Sequence, residues 1–134
     1  MKKIFFILLS ILILASCTSK REKAIVLNKS GIHKMNDNHI KEALADFDKA
    51  VQTDPTFDQA YYYRGNMKFS LTDYQGALAD YTKAIELNPG FMDAYCNRAQ
   101  VYQSIDQLDK ACPDWKKAKE LGRPNLEDKL SHCN

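Results

Sequence analysis

The 134 residues amount to one domain's worth of chain, with 19 basic side chains against 17 acidic and a formal net charge of +2. Two of the basic residues, Lys2 and Lys3, belong to an N-terminal stretch that reads as a removable signal, so 17 basic residues remain against 17 acidic. That near-neutral balance argues against a nucleic-acid partner, which requires a clustered basic face.

Taken in order, Met1-Lys2-Lys3 precedes a nearly unbroken apolar run from Ile4 to Ala15. The run is too short to cross a bilayer, which takes about 20 helical residues. A basic start, a short apolar centre and small residues at the end read as a secretory signal peptide. Leu14-Ala15-Ser16-Cys17 resembles a bacterial lipoprotein signal. The resemblance implies that 1–16 is removed and that the Cys17 thiol, nucleophilic as its thiolate, carries lipid. Ordinary cleavage after Ser16 with an unmodified thiol is the alternative. Segment 17–23 is then the lipidated cysteine and a tether, which if extended holds the domain within about 20 Å of the membrane. Lys20, Arg21 and Lys23 stand where anionic headgroups could be met. Thr18 to Arg21 lack the acidic run that resembles a surface-export tag, which points to an outer membrane, periplasm-facing location.

Beyond the tether the chain repeats itself. Tyr61, Gly65, Tyr74, Ala77, Tyr81, Ala84 and Pro89 become Leu27, Gly31, Ile40, Ala43, Phe47, Ala50 and Pro55 when moved back 34 positions. Moved forward 34 they become Tyr95, Ala99, Leu108, Ala111, Trp115 and Ala118, with Arg123 in the place of the proline and Pro124 after it. This period and these residues resemble the tetratricopeptide repeat, a 34-residue helix-turn-helix unit. The resemblance implies an all-α solenoid of three such repeats, 24–57, 58–91 and 92–125, plus a capping helix over 126–134.

In the first repeat, Asn36-Asp37-Asn38 ends one helix and Asp54-Pro55 ends the next, because proline restricts the residue before it. Gly31 and Gly65 are expected where paired helices cross closely, with Ala99 in that place in the third repeat. Asp73 is the expected N-cap of the second repeat's second helix. Asp46, Asp48, Asp54 and Asp58 read as capping acids near repeat ends rather than acid and base pairs. Leu121-Gly122 reads as a helix end. The last helix, from Pro124 or Asn125 to Cys133, places Leu126, Leu130 and Cys133 on one face.

By repeat position, Cys112 and Lys119 fall where earlier repeats have apolar residues facing the next element. A Cys112–Cys133 bridge to the cap is therefore the preferred pairing, with two packed thiols as the alternative. Cys96 is left over. His33, His39 and His132 are dispersed, and neither a paired-cysteine motif nor a glycine-rich phosphate loop is present. No metal, cofactor or catalytic constellation is expected, and the chain is not expected to be an enzyme.

In the family, the first helix of each pair lines a concave face. The resemblance thus implies a partner-binding surface of Asn28, Ile32 and Met35 in the first repeat, Gln59, Tyr62, Asn66 and Phe69 in the second, and Asp93, Gln100 and Gln103 in the third. Asn36, Ser70, Cys96 and Ser104 share that face. Some members hold terminal carboxylates with basic and amide residues; the matching positions here are Asn28, Ile32, Tyr63, Asp93 and Asn97, without the basic members. Arg64 and Arg98 are expected to pair with acids or carbonyls at the helix seam. The expectation is a lipid-anchored module at the bacterial envelope that binds a protein or peptide. The alternatives are a subunit that docks to a larger envelope complex by its convex face or cap, and a thiol-redox protein using Cys96.

Overall fold

A computed structural model describes the backbone of residues 2–133 and the side chains of residues 19–133. The signal segment 1–16 and the lipid-bearing Cys17 lie outside the residues whose side chains are described. Among the described residues the chain is all-α, a helix-turn-helix repeat solenoid with a short C-terminal helix. It divides into two compact units, Met1–Phe57 and Asp58–Asn134.

The first unit pairs α1, Lys2–Asn36, with α2, Ile40–Thr53. Ala24 and Gly31 of α1 and Ala43, Phe47, Ala50 and Val51 of α2 are buried. A Cβ on Gly31 would stand 2.6 Å from Phe47 Cε1, so this crossing tolerates only hydrogen. The expected extended tether is instead part of α1. A helix rises about 1.5 Å per residue, so the segment spans less than half the length it would have if extended. The physical reason lies in Arg21, whose Nε meets Asp54 Oδ2 at 2.8 Å and whose guanidinium lies 4.9 Å from the Phe57 ring centroid. Arg21 is thus engaged within the unit rather than offered to lipid headgroups.

The second unit contains α3, Asp58–Ser70; α4, Tyr74–Leu87; α5, Met92–Ser104; α6, Leu108–Glu120; and α7, Glu127–Ser131. Large and small residues interlock at the repeat spacing. Ala77, Tyr81 and Val101 form one cluster, and Ala99, Ala111, Trp115, Ala118 and Leu126 another. Asp73 Oδ1 accepts from Gly76 N at 2.9 Å, capping α4 as its residue type predicts. The turns repeat as well: Asn38, Thr72 and Asp106, each 34 residues from the next, have φ of 62°, 61° and 57°. Pro113 sits inside α6 on its exposed side, where water can serve the carbonyl that proline leaves without a donor.

The final helix is shorter than the expected 126–134 cap. Gly122 and Asn125 adopt φ of 102° and 58°, so the chain turns twice before a helix can begin at Glu127. Packing on the Trp115 cluster comes from Leu126, Leu130 and Cys133. Cys112 and Cys133 are joined through their sulfurs, with Cα atoms 5.5 Å apart. Lys119 does not occupy a buried place; it is exposed and pairs with Glu127 at 3.3 Å.

Candidate functional site

Each repeat is locked by a carboxylate near the middle of its second helix. Asp46, Asp80 and Asp114 recur at the repeat spacing and are only 6%, 3% and 5% exposed. Burying a charge is costly without partners, and each has them. Asp46 accepts from Ser30 Oγ at 2.6 Å and from Lys34. Asp80 takes Arg64 Nε at 2.8 Å and NH2 at 2.6 Å, with Lys68 at 2.8 Å. Asp114 takes Arg98 Nε at 2.7 Å and NH2 at 2.8 Å, while Arg98 NH1 donates to Thr82 Oγ1 at 3.0 Å. Arg64 and Arg98 therefore pair with acids at the helix seam, as their positions suggest. Asp46 differs from its expected capping role, because its side chain faces across the helix pair. The recurrence 46, 80, 114 is the signal from which all three could have been found.

Burial tends to push the Asp46 carboxyl up, but hydrogen bonds from Lys34 and Ser30 and the charges of Lys34 and Lys49 outweigh it, so the net shift is downward. Asp54 behaves alike: burial is outweighed by hydrogen bonds from the Thr56 side chain and backbone and by the charges of Arg21 and Lys20. Its Oδ1 accepts from Thr56 N at 2.9 Å, a turn repeated where Asn88 Oδ1 accepts from Gly90 N at 3.1 Å.

With these lysine and arginine residues committed to the seam, the first-helix face is left with amides and phenols. In the first unit, Asn28 is 3% exposed and its Oδ1 has no hydrogen-bond partner, so it is packed in rather than displayed. Ile32 and Met35 are half-buried. In the second unit, Asn66 is the centre of a small ladder. Its Oδ1 accepts from Tyr81 Oη at 2.7 Å and from Asn97 Nδ2 at 2.9 Å, and Asn97 Nδ2 also reaches Tyr62 Oη at 3.2 Å.

Tyr62 is held by more than that bond. Its ring centroid lies 5.2 Å from Tyr63, 6.0 Å from Tyr81 and 4.8 Å from Phe91, and burial raises the pKa of its hydroxyl, as it does more strongly for Tyr81. Tyr62 is thus a packed wall of the face and not a swinging side chain. Phe69 lies 5.8 Å from Tyr74, ring to ring, and also belongs to the packing.

Other expected surface residues are tied down by the C-terminal segment. Asp93 Oδ1 receives Arg123 NH1 at 2.7 Å, and Gln103 Oε1 receives Lys129 Nζ at 2.8 Å. The former follows the same 30-residue closure as Asn88 Nδ2 to Asp58 Oδ2 at 2.9 Å, which gives Arg123 the work of the missing turn residues. Gln59 and Gln100 are exposed. Asn97 stood among the clamp positions and Tyr81 among the packing positions of the repeat, while Arg123 and Lys129 fall in the C-terminal segment, outside the first helices from which the predicted surface was drawn.

Cys96 is the free cysteine of the described residues, half-buried, and burial raises its thiol pKa. An activated thiol needs the opposite shift and an accessible sulfur. On the second-helix side a cleft of about 480 Å³ opens between α4 and the start of α6, lined by Leu78, Thr82, Lys83, Glu86, Tyr102 and Lys110 among others. No group of three or more potential metal ligands occurs among the described residues.

Comparison with known proteins agrees with this architecture. A TPR repeat family model matches residues 65–106 and a tetratricopeptide repeat model residues 93–122. The model of the prokaryotic membrane lipoprotein lipid attachment site matches residues 1–18. Searching the curated proteins returns no match. Among solved structures, the first TPR of Spaghetti (RPAP3) bound to HSP90 peptide SRMEEVD is 26% identical, with a TM-score of 0.78 over 82% of this chain and 89% of its own. MamA is 30% identical, with a TM-score of 0.71 over 74% of this chain; the chain spans only 58% of that protein's length. The Arabidopsis OM64 TPR domain, 21% identical with a TM-score of 0.78 over 84% of this chain and 97% of its own, is alike in fold. The chain carries tetratricopeptide repeats and, over residues 1–18, a prokaryotic lipoprotein lipid attachment site.

Proposed function

We propose that this chain is a lipid-anchored protein-interaction module of the bacterial envelope that binds an extended peptide segment along its first-helix face. The observation that carries the reading is the Asn66 ladder. Two donors occupy Asn66 Oδ1 and the same amide bonds the Tyr62 hydroxyl, so the ladder holds a polar edge in one orientation for a peptide backbone to meet. Side chains already held in place lose little entropy on binding, and confinement to a membrane raises the local concentration of a partner in the same layer.

The solved neighbour that holds an HSP90 peptide supports peptide binding by such a fold. The peptide chemistry proposed here differs from an acidic tail: Lys34, Arg64, Lys68 and Arg98 are engaged by buried aspartates, so the face offers amides, phenols and small apolar surfaces. The working location is the periplasmic side of the outer membrane.

A second reading, docking to a larger assembly by the second-helix side, is favoured by the cleft between α4 and α6, where Lys83 and Lys110 stand at its edge. One experiment separates the two. A photoreactive residue is placed at Gln100 or at Glu86 in the lipidated protein in native membranes, and captured proteins are identified by mass spectrometry. Adducts from Gln100 that disappear in Asn66→Ala, with helical content unchanged, are expected. Adducts from Glu86 alone would replace the first reading by the second, and equal or absent adducts from both sites would overturn the first.

A further inference from the structure

Among the described residues, Val26 is the most exposed large hydrophobic side chain, at 67%. It belongs to a mainly apolar cleft of about 470 Å³ on the first unit, lined by Ser19, Glu22, Lys23, Val26, Leu27 and Thr53. Positions 19, 22, 23 and 26 share one face of α1 by helical spacing. The opposite face is committed to α2 through Ala24 and Gly31. Arg21, bound to Asp54 and Thr56, fixes the rotation of the helix at its first described turns. The cleft is therefore a held surface, and its place in the chain says what meets it.

Ser19 is two residues from Cys17, so chain connectivity alone keeps it within about 7 Å of the lipid-bearing residue. Val26 is about 10 Å farther along the helix. Amphipathic helices at membranes bury their apolar side about 5–10 Å into the boundary between headgroups and acyl chains, a depth that this geometry reaches. Lys23 is exposed and lines the cleft, with Glu22 as the one carboxylate among its lining residues. The stems of such side chains cover apolar surface while their charges stay at the polar level.

We propose that the outer face of α1 from Ser19 to Val26 lies against the bilayer that holds the lipid, with Val26 in the interfacial layer and Lys23 on a lipid phosphate. The bilayer is beside this face at all times, whereas a second copy of the chain would have to arrive by diffusion. Such a contact gives the anchored first unit a set orientation in place of free swinging. The proposal rests on lipidation at Cys17 and is independent of where a peptide binds.

The test uses the full lipidated protein in vesicles of phosphatidylethanolamine and phosphatidylglycerol. The variants V26C/C96S and K49C/C96S each carry one environment-sensitive fluorophore, and position 49 lies on the exposed side of α2. Flotation with the vesicles reports the anchor separately, and circular dichroism reports the fold. The expected result is a blue-shifted emission at position 26 and quenching by a shallow nitroxide lipid several-fold stronger than at position 49, reduced in a K23Q background. Emission at position 26 as water-exposed as at position 49, in protein that floats, would overturn the proposal. Self-quenching at position 26 that grows with surface density would assign the face to a second copy and overturn it equally.

Discussion

Arg98 and Asp114, sixteen residues apart, meet through two parallel hydrogen bonds of 2.7 and 2.8 Å across the α5–α6 seam. The fork geometry of a guanidinium on a carboxylate makes this the strongest kind of side-chain pair. With Asp114 only 5% exposed, removing its partner strands a charge away from water. Arg98→Ala is expected to cost about 3 kcal/mol in urea unfolding. The apolar double variant Arg98→Met with Asp114→Leu is expected to recover most of that loss, because it removes the stranded charge as well. A double variant no better than the single would show that the pair contributes more than its desolvation costs.

The helix crossings give a second test. A Cβ on Gly65 would lie 2.8 Å from Tyr81 Cε1, and Tyr81 is fully buried, so neither side can give way cheaply. Gly65→Ala should destabilise by about 1–3 kcal/mol, the range of overpacked cores. The third repeat already carries Ala99 opposite its own aromatic cluster. There Ala99→Gly should cost about 1 kcal/mol through helix propensity. Thermal melts of the two variants would read both effects.

Thr72 supplies a stabilising prediction. Its φ of 61° is left-handed, a region that a β-branched residue enters at a cost, and the residue is exposed at the turn before Asp73. Asn38, at the equivalent place in the first repeat, has the better residue type. Thr72→Asn is expected to raise stability by about 1 kcal/mol. An unchanged or lowered melting temperature would mean that the Thr72 Oγ1 bond to Leu71 O, 2.7 Å, offsets the strain.

The Cys112–Cys133 link closes a loop with a sequence separation of 21. In the chain-entropy account, such a loop is worth about 3 kcal/mol. Reduction by dithiothreitol should lower stability by that order and open the chain after Leu121 to protease, since α7 itself contains no buried residue. Limited proteolysis with and without reductant, followed by mass spectrometry, reads the second effect directly.

Acid should weaken the first unit. The carboxyls of Asp46 and Asp54 are lowered in the folded state relative to their ordinary value of 3.8. The unfolded chain therefore takes up protons first. The stabilisation is complete above the unfolded value and is lost as pH falls through the lower folded values. Unfolding free energy measured by urea titration should be flat near neutrality and decline below about pH 4. Asp54→Asn should have a lower plateau and a shallower decline.

Much of the repeat was legible because its signals are local. The alternation of Gly31, Phe47 and Ala50 with Gly65, Tyr81 and Ala84 states which positions are large and which are small, and close packing leaves few other ways to combine them. Asp73 before α4 likewise needs only its own turn. The predicted binding face fared differently. Asn28, Tyr62, Phe69, Asp93 and Gln103 are each held within their own unit by packing or by partners that repeat position does not name. Helical spacing assigns a face to a side chain, but not the neighbour that will use it.

By itself, the sequence determined the period, the helix pairs, the glycine crossings and the lipoprotein attachment site, all properties of residue type and spacing along the chain. Only the tertiary structure decided that Asp46, Asp80 and Asp114 turn inward to consume the basic side chains. The same is true of Asn66 gathering Tyr81 and Asn97, and of Arg21 holding α1 so that Val26 faces outward. Those outcomes depend on which groups stand within about 3 Å across a helix interface, and a linear pattern does not encode that distance.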